Sequence, residues 1–202
     1  MNNIKKLTDS KFLNLFQIDA KDRKGNDFKY YFASRGKGGN LKYNRKEDIP
    51  DGVMIYAVLK DDPSKIVLVK QYRYPINDYI YEMPAGLVDE GESYANCAIR
   101  EFKEETGMTL KLINDGKTPM SRPFYTTVGL TDEAVCIYYG YAEGTPSKEW
   151  LEATETINTE IVDRKEALRI LKEERVAMKC ALLLMQFINS SDENHFGFLD
   201  LE

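Results

Sequence analysis

Residues 11–20 (KFLNLFQIDA) and 27–34 (DFKYYFAS) are rich in β-forming side chains, and the turn cluster DRKGN at 22–26 separates them. This pattern predicts an N-terminal hairpin. The stretch GKGGN at 36–40 follows and marks a boundary between a region 1–40 and a main domain 41–202. Apolar runs at 53–59 and 65–72, joined by DDPS at 61–64, predict a second hairpin, and Pro75 and Pro84 confine YIYE at 79–82 to a short edge strand at best. From 93 to 106 the period becomes helical. Ser93 is a capping residue, Ala95, Ala98, Ile99 and Phe102 recur at helical spacing, and Gly107 stands where a helix ends. Residues 110–113, 124–128, 134–141 and 159–162 read as further strands, with a polar stretch from 143 to 156. Two helices follow over 164–174 and 176–189, the second gathering Val176, Cys180, Leu184 and Phe187 on one broad apolar face. Strands on both sides of one helix, then terminal helices, predict an α/β sandwich with a mixed sheet, plus a small N-terminal antiparallel β hairpin or sheet.

A chain of 202 residues can bury a core without covalent staples. Its 43% hydrophobic and 30% charged content argues against disorder and rod-like repeats. With 33 acidic against 28 basic residues the net charge is −5, which gives no footprint for nucleic acid and disfavours an anionic membrane. The start, MNNIKKLTDSK, has no apolar signal core, and the apolar run CALLLM at 180–185 is far short of the ~20 residues that span a bilayer. Cys97, Cys136 and Cys180 are odd in number and show no paired metal-ligand spacing, which suggests a reducing cytoplasm. His195 is the sole histidine and lies near the C-terminus, so Ser/His/Asp and Cys/His nucleophile schemes lack support.

The chemistry concentrates between 86 and 108 (GLVDEGESYANCAIREFKEETGM). Glu101, Glu104 and Glu105 are spaced to share one helix face, where like charges repel unless a cation lies among them. Local pairing with Arg100 and Lys103 on a solvated face is the bland alternative, and the glycines ahead of the helix weigh against it. Gly86 and Gly91 permit tight turns that bring the Ala85 carbonyl and Glu92 up to the helix. Oxygen donors without His or Cys suit Mg²⁺ or Mn²⁺. Such an ion draws in a diphosphate and acidifies a bound water, so the implied chemistry is phosphoanhydride hydrolysis.

The same segment resembles the Nudix box: glycine, five free positions, glutamate, seven free, Arg-Glu, an aliphatic or aromatic residue, one free, Glu-Glu, one free, glycine, then an aliphatic residue. Every fixed position is present, a coincidence expected at ~10⁻⁶ for a chain of this composition. The resemblance implies an α/β/α sandwich that hydrolyses a nucleoside diphosphate linked to another moiety. It assigns metal ligation to Glu101 and Glu105, with Glu104 assisting and Ala85 giving its carbonyl, and makes Arg100 the residue that orients the carboxylates, Glu92 among them. Gly86, Glu92 and Gly107 are structural positions of the box.

QYRYP at 71–75 and YEMPAG at 81–86 are similar to the ADP-ribose pyrophosphatase branch of that family. This resemblance implies a small-molecule nucleotide substrate and a homodimer in which the N-terminal sheet helps form the partner's site. It casts Arg73 as a phosphate clamp, Arg35 as a second, and Glu82 as a substrate contact or a support for the Pro-Ala-Gly turn. TVGLTDE at 127–133 aligns with the branch's Ser-Pro-Gly-x-Thr/Ser-x-Glu loop, which makes Glu133 a substrate contact, but Val128 replaces the proline that marks ADP-ribose preference. The general base is expected from the acidic stretch 143–160, with Glu152 and Glu155 as candidates and Glu155 preferred. The expected reaction is Mg²⁺- or Mn²⁺-dependent cleavage of ADP-ribose to AMP and ribose 5-phosphate. The alternatives are another nucleotide sugar, such as GDP-mannose or an ADP-sugar, and a non-catalytic ADP-ribose sensor, which the intact box carboxylates disfavour.

Overall fold

A computed structural model describes residues 3–36, 40–45, 47–191 and 193–200. Most of the glycine-rich boundary, 37–39, lies outside the described residues. In chain order the strands are β1 (Ile4–Lys6), β2 (Asn14–Lys21), β3 (Asp27–Ser34), β4 (Gly52–Leu59), β5 (Lys65–Arg73), β6 (Asp78–Glu82), β7 (Ala85–Leu87), β8 (Thr109–Leu112), β9 (Phe124–Tyr125), β10 (Ala134–Glu143) and β11 (Ile157–Asp163). The helices are α1 (Tyr94–Thr106), α2 (Arg164–Glu173) and α3 (Met178–Asn189). The chain divides into two compact units, Met1–Asp51 with Pro123–Val135, and Gly52–Arg122 with Cys136–Glu202.

In the first unit β1, β2 and β3 form an antiparallel sheet. Its turn is closed by Asp22, whose carboxylate accepts from the backbone N–H groups of Lys24 and Asn26 at 2.8 Å, beside Gly25 at φ 87°. Register places Phe16 opposite Phe32, and their rings stack at 5.5 Å over Leu41 to make a small core. β1 makes the predicted hairpin a three-stranded sheet. The strand expected over 124–128 stops at Tyr125, because beyond Thr126 the backbone turns: the N–H groups of Leu130 and Thr131 both donate to the Thr127 carbonyl, at 2.8 and 3.0 Å.

The second unit holds a sheet ordered β11-β5-β4-β10-β8, with β6 on β5 and β7 on β4, giving the expected mixed α/β fold. Strand alternation sorts β4 by face. Val53, Ile55 and Ala57 join Cys97, Ala98 and Phe102 of α1 in a buried cluster, while Tyr56 points the other way and meets Tyr139, Phe196 and Phe198 in ring contacts of 5.4 Å, 5.4 Å for Phe198, and 5.9 Å for Phe196. On α1 the buried stripe runs through Cys97, Ala98, Phe102 and Glu105; Ile99 is 40% exposed. Helix α3 starts two residues later than its apolar pattern suggests, since the backbone at 175–177 is used by β6: Tyr81 donates to the Arg175 carbonyl at 2.9 Å and accepts from the Ala177 N–H at 3.0 Å. All three cysteines are buried and free. Among the described residues no helix is long and apolar enough to cross a membrane.

Candidate active site

The site is built on α1 and the strand that precedes it. Ser93 caps the helix by accepting from the Asn96 N–H at 3.3 Å, and Gly107 ends it at φ 72° with its N–H on the Lys103 carbonyl at 2.8 Å. Strand β7 pairs antiparallel with β4, Gly86 opposite Val53, which sets Gly86 against the helix. A Cβ at Gly86 would overlap the Glu101 carboxylate, so the missing side chain is what makes room for it.

One guanidinium organises most of the acids. Arg100 Nη1 donates to Glu101 Oε1 and Glu104 Oε2, both at 2.8 Å; Nη2 donates to Glu92 Oε2 at 2.8 Å and to the Leu87 carbonyl at 3.1 Å; Nε donates to Glu92 Oε1 at 3.0 Å. The fork on Glu92 is bidentate, a geometry lysine cannot reproduce. Hydrogen bonding from Arg100 holds the Glu92 carboxyl below its ordinary range. Glu105 lies outside this network. It is 5% exposed and accepts from the Ala85 N–H at 3.0 Å. Burial, reinforced by Glu155 and Glu101, pushes its carboxyl well above the ordinary value, and burial likewise raises Glu101 against the opposing pull of Arg100. Glu155 is raised by burial and then by Glu152, while Arg73 opposes.

Arg73 Nε donates to Glu82 Oε2 at 2.6 Å, so these two expected substrate residues are paired with each other beside Glu155 and Glu105, on which Arg73 acts electrostatically. The other two expected substrate residues lie in the first unit, where Arg35 Nε is 4.0 Å from Glu133 Oε1 and the Thr126 hydroxyl donates to Glu133 Oε2 at 2.9 Å. The same unit contains a cleft of about 250 Å³ lined by Tyr30, Tyr43, Tyr125, Lys42, Asp132 and Val128. Tyr30 donates to the Gly129 carbonyl at 2.8 Å. The sequence carries no local sign of this cleft, because its walls come from β3 and from the 125–132 segment, far apart along the chain.

For a divalent cation, the donor chemistry fits. Glu101 and Glu105 offer oxygen atoms one helical turn apart, with the Gly86 gap leaving space at Glu101. Among the described residues no group of three or more His, Cys, Asp or Glu side chains is gathered at ligating distance, because Arg100 holds Glu92, Glu101 and Glu104.

Residues 48–181 match the family model of the NUDIX domain. The chain belongs to the NUDIX domain family. This Nudix chain is 35% identical over 130 residues to the ADP-ribose pyrophosphatase of Saccharomyces cerevisiae, covering 63% of itself and 53% of that protein, and so spans about half the yeast relative's length. It is 33% identical over 140 residues to the ADP-ribose pyrophosphatase of Bacillus subtilis, covering 68% of itself and 72% of that protein. A crystal structure of an ADP compounds hydrolase shares the fold at a TM-score of 0.64, with 17% identity, covering 91% of this Nudix chain and 90% of that one.

Proposed function

We propose that this Nudix protein hydrolyses the diphosphate of ADP-ribose to AMP and ribose 5-phosphate, using Mg²⁺ or Mn²⁺. The observation that carries the reading is the pair Glu101 and Glu105 one turn apart on α1: half-buried Glu101 fills the space left by Gly86 and is held by Arg100, and buried Glu105, free of that guanidinium, accepts from the Ala85 N–H. Similarity to two ADP-ribose pyrophosphatases supports the substrate.

Glu101 and Glu105, with Glu104 and the Ala85 carbonyl, are the groups assigned to the cation. When bound, the ion offsets charge on the diphosphate and acidifies water. Arg100 keeps the carboxylates of Glu92, Glu101 and Glu104 oriented through its five hydrogen bonds to them and to Leu87. Arg73 exchanges its bond to Glu82 for a substrate phosphate, a swap its 47% exposed side chain allows. Glu155 takes the proton from the attacking water, and the burial that raises its proton affinity brings it closer to the working range of a base near neutral pH. Arg35, Glu82 and Glu133 contact the substrate. The active form is a homodimer built through the N-terminal sheet, and three buried, unpaired cysteines suit a cytoplasmic setting.

A panel of ADP-ribose, ADP-glucose and GDP-mannose at fixed Mg²⁺, with products identified by mass, tests the reading. A tenfold preference for GDP-mannose, about 1.4 kcal/mol, overturns it in favour of the second reading, a different nucleotide sugar. Val128 is the observation behind that second reading.

Two further outcomes are expected. Light scattering should give a dimer. Deleting residues 1–35 removes the three-stranded sheet and should weaken substrate binding or yield insoluble protein; a soluble, fully active monomer would sink the dimer assignment. Val128 occupies the second position of the turn 127–130, where proline is favoured, and among the described residues its N–H makes no hydrogen bond. Val128→Pro should therefore fit, stiffen the loop, and raise the ADP-ribose over ADP-glucose ratio of kcat/KM by about twofold to fivefold. An unchanged ratio shows that this position does not set the preference.

A further inference from the structure

Lys103 sits on α1 between Glu101 and the Glu104-Glu105 pair, yet among the described residues it has no carboxylate within salt-bridge distance. Its ammonium lies over the ring of Trp150, 4.3 Å from the centroid. Trp150 is the chain's only tryptophan, 50% exposed, in the loop between β10 and β11 that also carries Glu155.

That loop is pinned at both ends by backbone bonds. The Ser147 N–H donates to the Thr106 carbonyl at 2.9 Å, and the Thr156 carbonyl accepts from the Tyr72 N–H at 3.0 Å. The first anchor depends on Gly107, where a Cβ would meet Ser147 atoms at 2.6 Å. Between the anchors, segment 148–155 closes on itself, Leu151 donating to the Lys148 carbonyl at 3.3 Å and Glu155 to the Glu152 carbonyl at 3.0 Å. Lys148 reaches forward to Asn158 at 2.6 Å, not back to the helix. Among the described residues, the Lys103–Trp150 pair is the one hydrogen bond, ion pair or ring contact that joins segment 148–155 to α1.

We propose that Lys103 and Trp150 form a latch that seats segment 148–155 on α1 and thereby sets where the Glu155 carboxylate stands relative to the helix acids. Both are positioning residues; neither touches the reacting atoms. The inference rests on the reading of Glu155 as the base. A solvent-exposed cation–π contact is modest in strength, so the latch shifts the seated population by a small factor and turnover follows that population.

Lys103→Met keeps the stem and removes the charge, whereas Lys103→Arg keeps a cation that stacks on indole. For full-length protein with ADP-ribose and Mg²⁺, Lys103→Met should lower kcat by about threefold with KM and melting temperature near wild type, and Lys103→Arg should restore kcat. Acrylamide quenching of the single tryptophan, measured without metal or substrate, should rise in Lys103→Met and return in Lys103→Arg. Trp150→Leu should reproduce the loss of kcat, and the double variant should be no worse than either single one. Unchanged quenching in Lys103→Met removes the latch. Increased quenching with wild-type kcat, or additive losses in the double variant, removes its positioning role. Glu155→Gln separates this from the underlying reading: wild-type turnover there ends the assignment of Glu155 as base, while the quenching comparison still decides whether the latch exists.

Discussion

Gly86→Ala should cost about 10²-fold or more in turnover while the protein stays folded. The added Cβ would fall on the carbon and both oxygens of the Glu101 carboxylate, the far end of a flexible side chain, so the carboxylate rotates away and the strand stays in register. Glu101 then leaves both the gap and its 2.8 Å bond to Arg100. Charge stabilisation of the kind assigned to this group contributes several kcal/mol, and losing about 2.7 kcal/mol is a hundredfold. Gly86 is outside the positive-φ glycines, so alanine strains no backbone and reduces unfolded-state entropy by up to about 1 kcal/mol. Melting temperature and kcat together check this. Activity within threefold of wild type would show that the position of Glu101 is unimportant.

Glu105→Gln should lower turnover by a similar ~10² and at the same time stabilise the metal-free protein. The amide oxygen still accepts from the Ala85 N–H, but a buried charge is gone. The sign follows from the raised proton affinity of Glu105. A carboxyl that holds its proton more tightly in the folded chain gives a stability contribution that is full below the unfolded value, near 4.5, and is lost as pH rises toward the raised folded value. Without metal, the melting temperature of Glu105→Gln should therefore exceed that of wild type by a margin that widens with pH. Mg²⁺ should stabilise wild type more than the variant. A margin that shrinks as pH rises would overturn the raised proton affinity of Glu105, and equal stabilisation by Mg²⁺ would remove it from the cation's ligands.

The sequence spoke clearly where the signal is local. Helix α1 is bounded by a capping serine and a left-handed glycine, each acting within one turn of the helix end, and both ends emerge where the pattern puts them. Pairings that depend on distant partners were illegible. The three residues of β1 become a strand only by lying along Phe16–Ile18, and β7 hides in a Pro-Ala-Gly sequence that reads as a turn until Gly52–Met54 pairs with it. The site divides in the same way. Arg100 with Glu104 is a helical i, i+4 pair that spacing alone proposes, and Glu92 adds to it across one short loop. Arg73 with Glu82 needs the β5–β6 turn, and Lys103 with Trp150 needs the whole intervening fold, so neither leaves a periodic trace.

The burial of all three cysteines gives the protein a built-in set of labels. Burial pushes the thiols of Cys97 and Cys136 up to about 12 and about 11, and that of Cys180 further, so near neutral pH none is the reactive thiolate. A thiol reagent can then modify only molecules in which the surrounding structure has opened, and its rate becomes a stopwatch for that opening. Because the three sulfurs belong to α1, β10 and α3, mass-resolved alkylation times the helix of the box, the central sheet and the C-terminal helix separately, in unaltered protein.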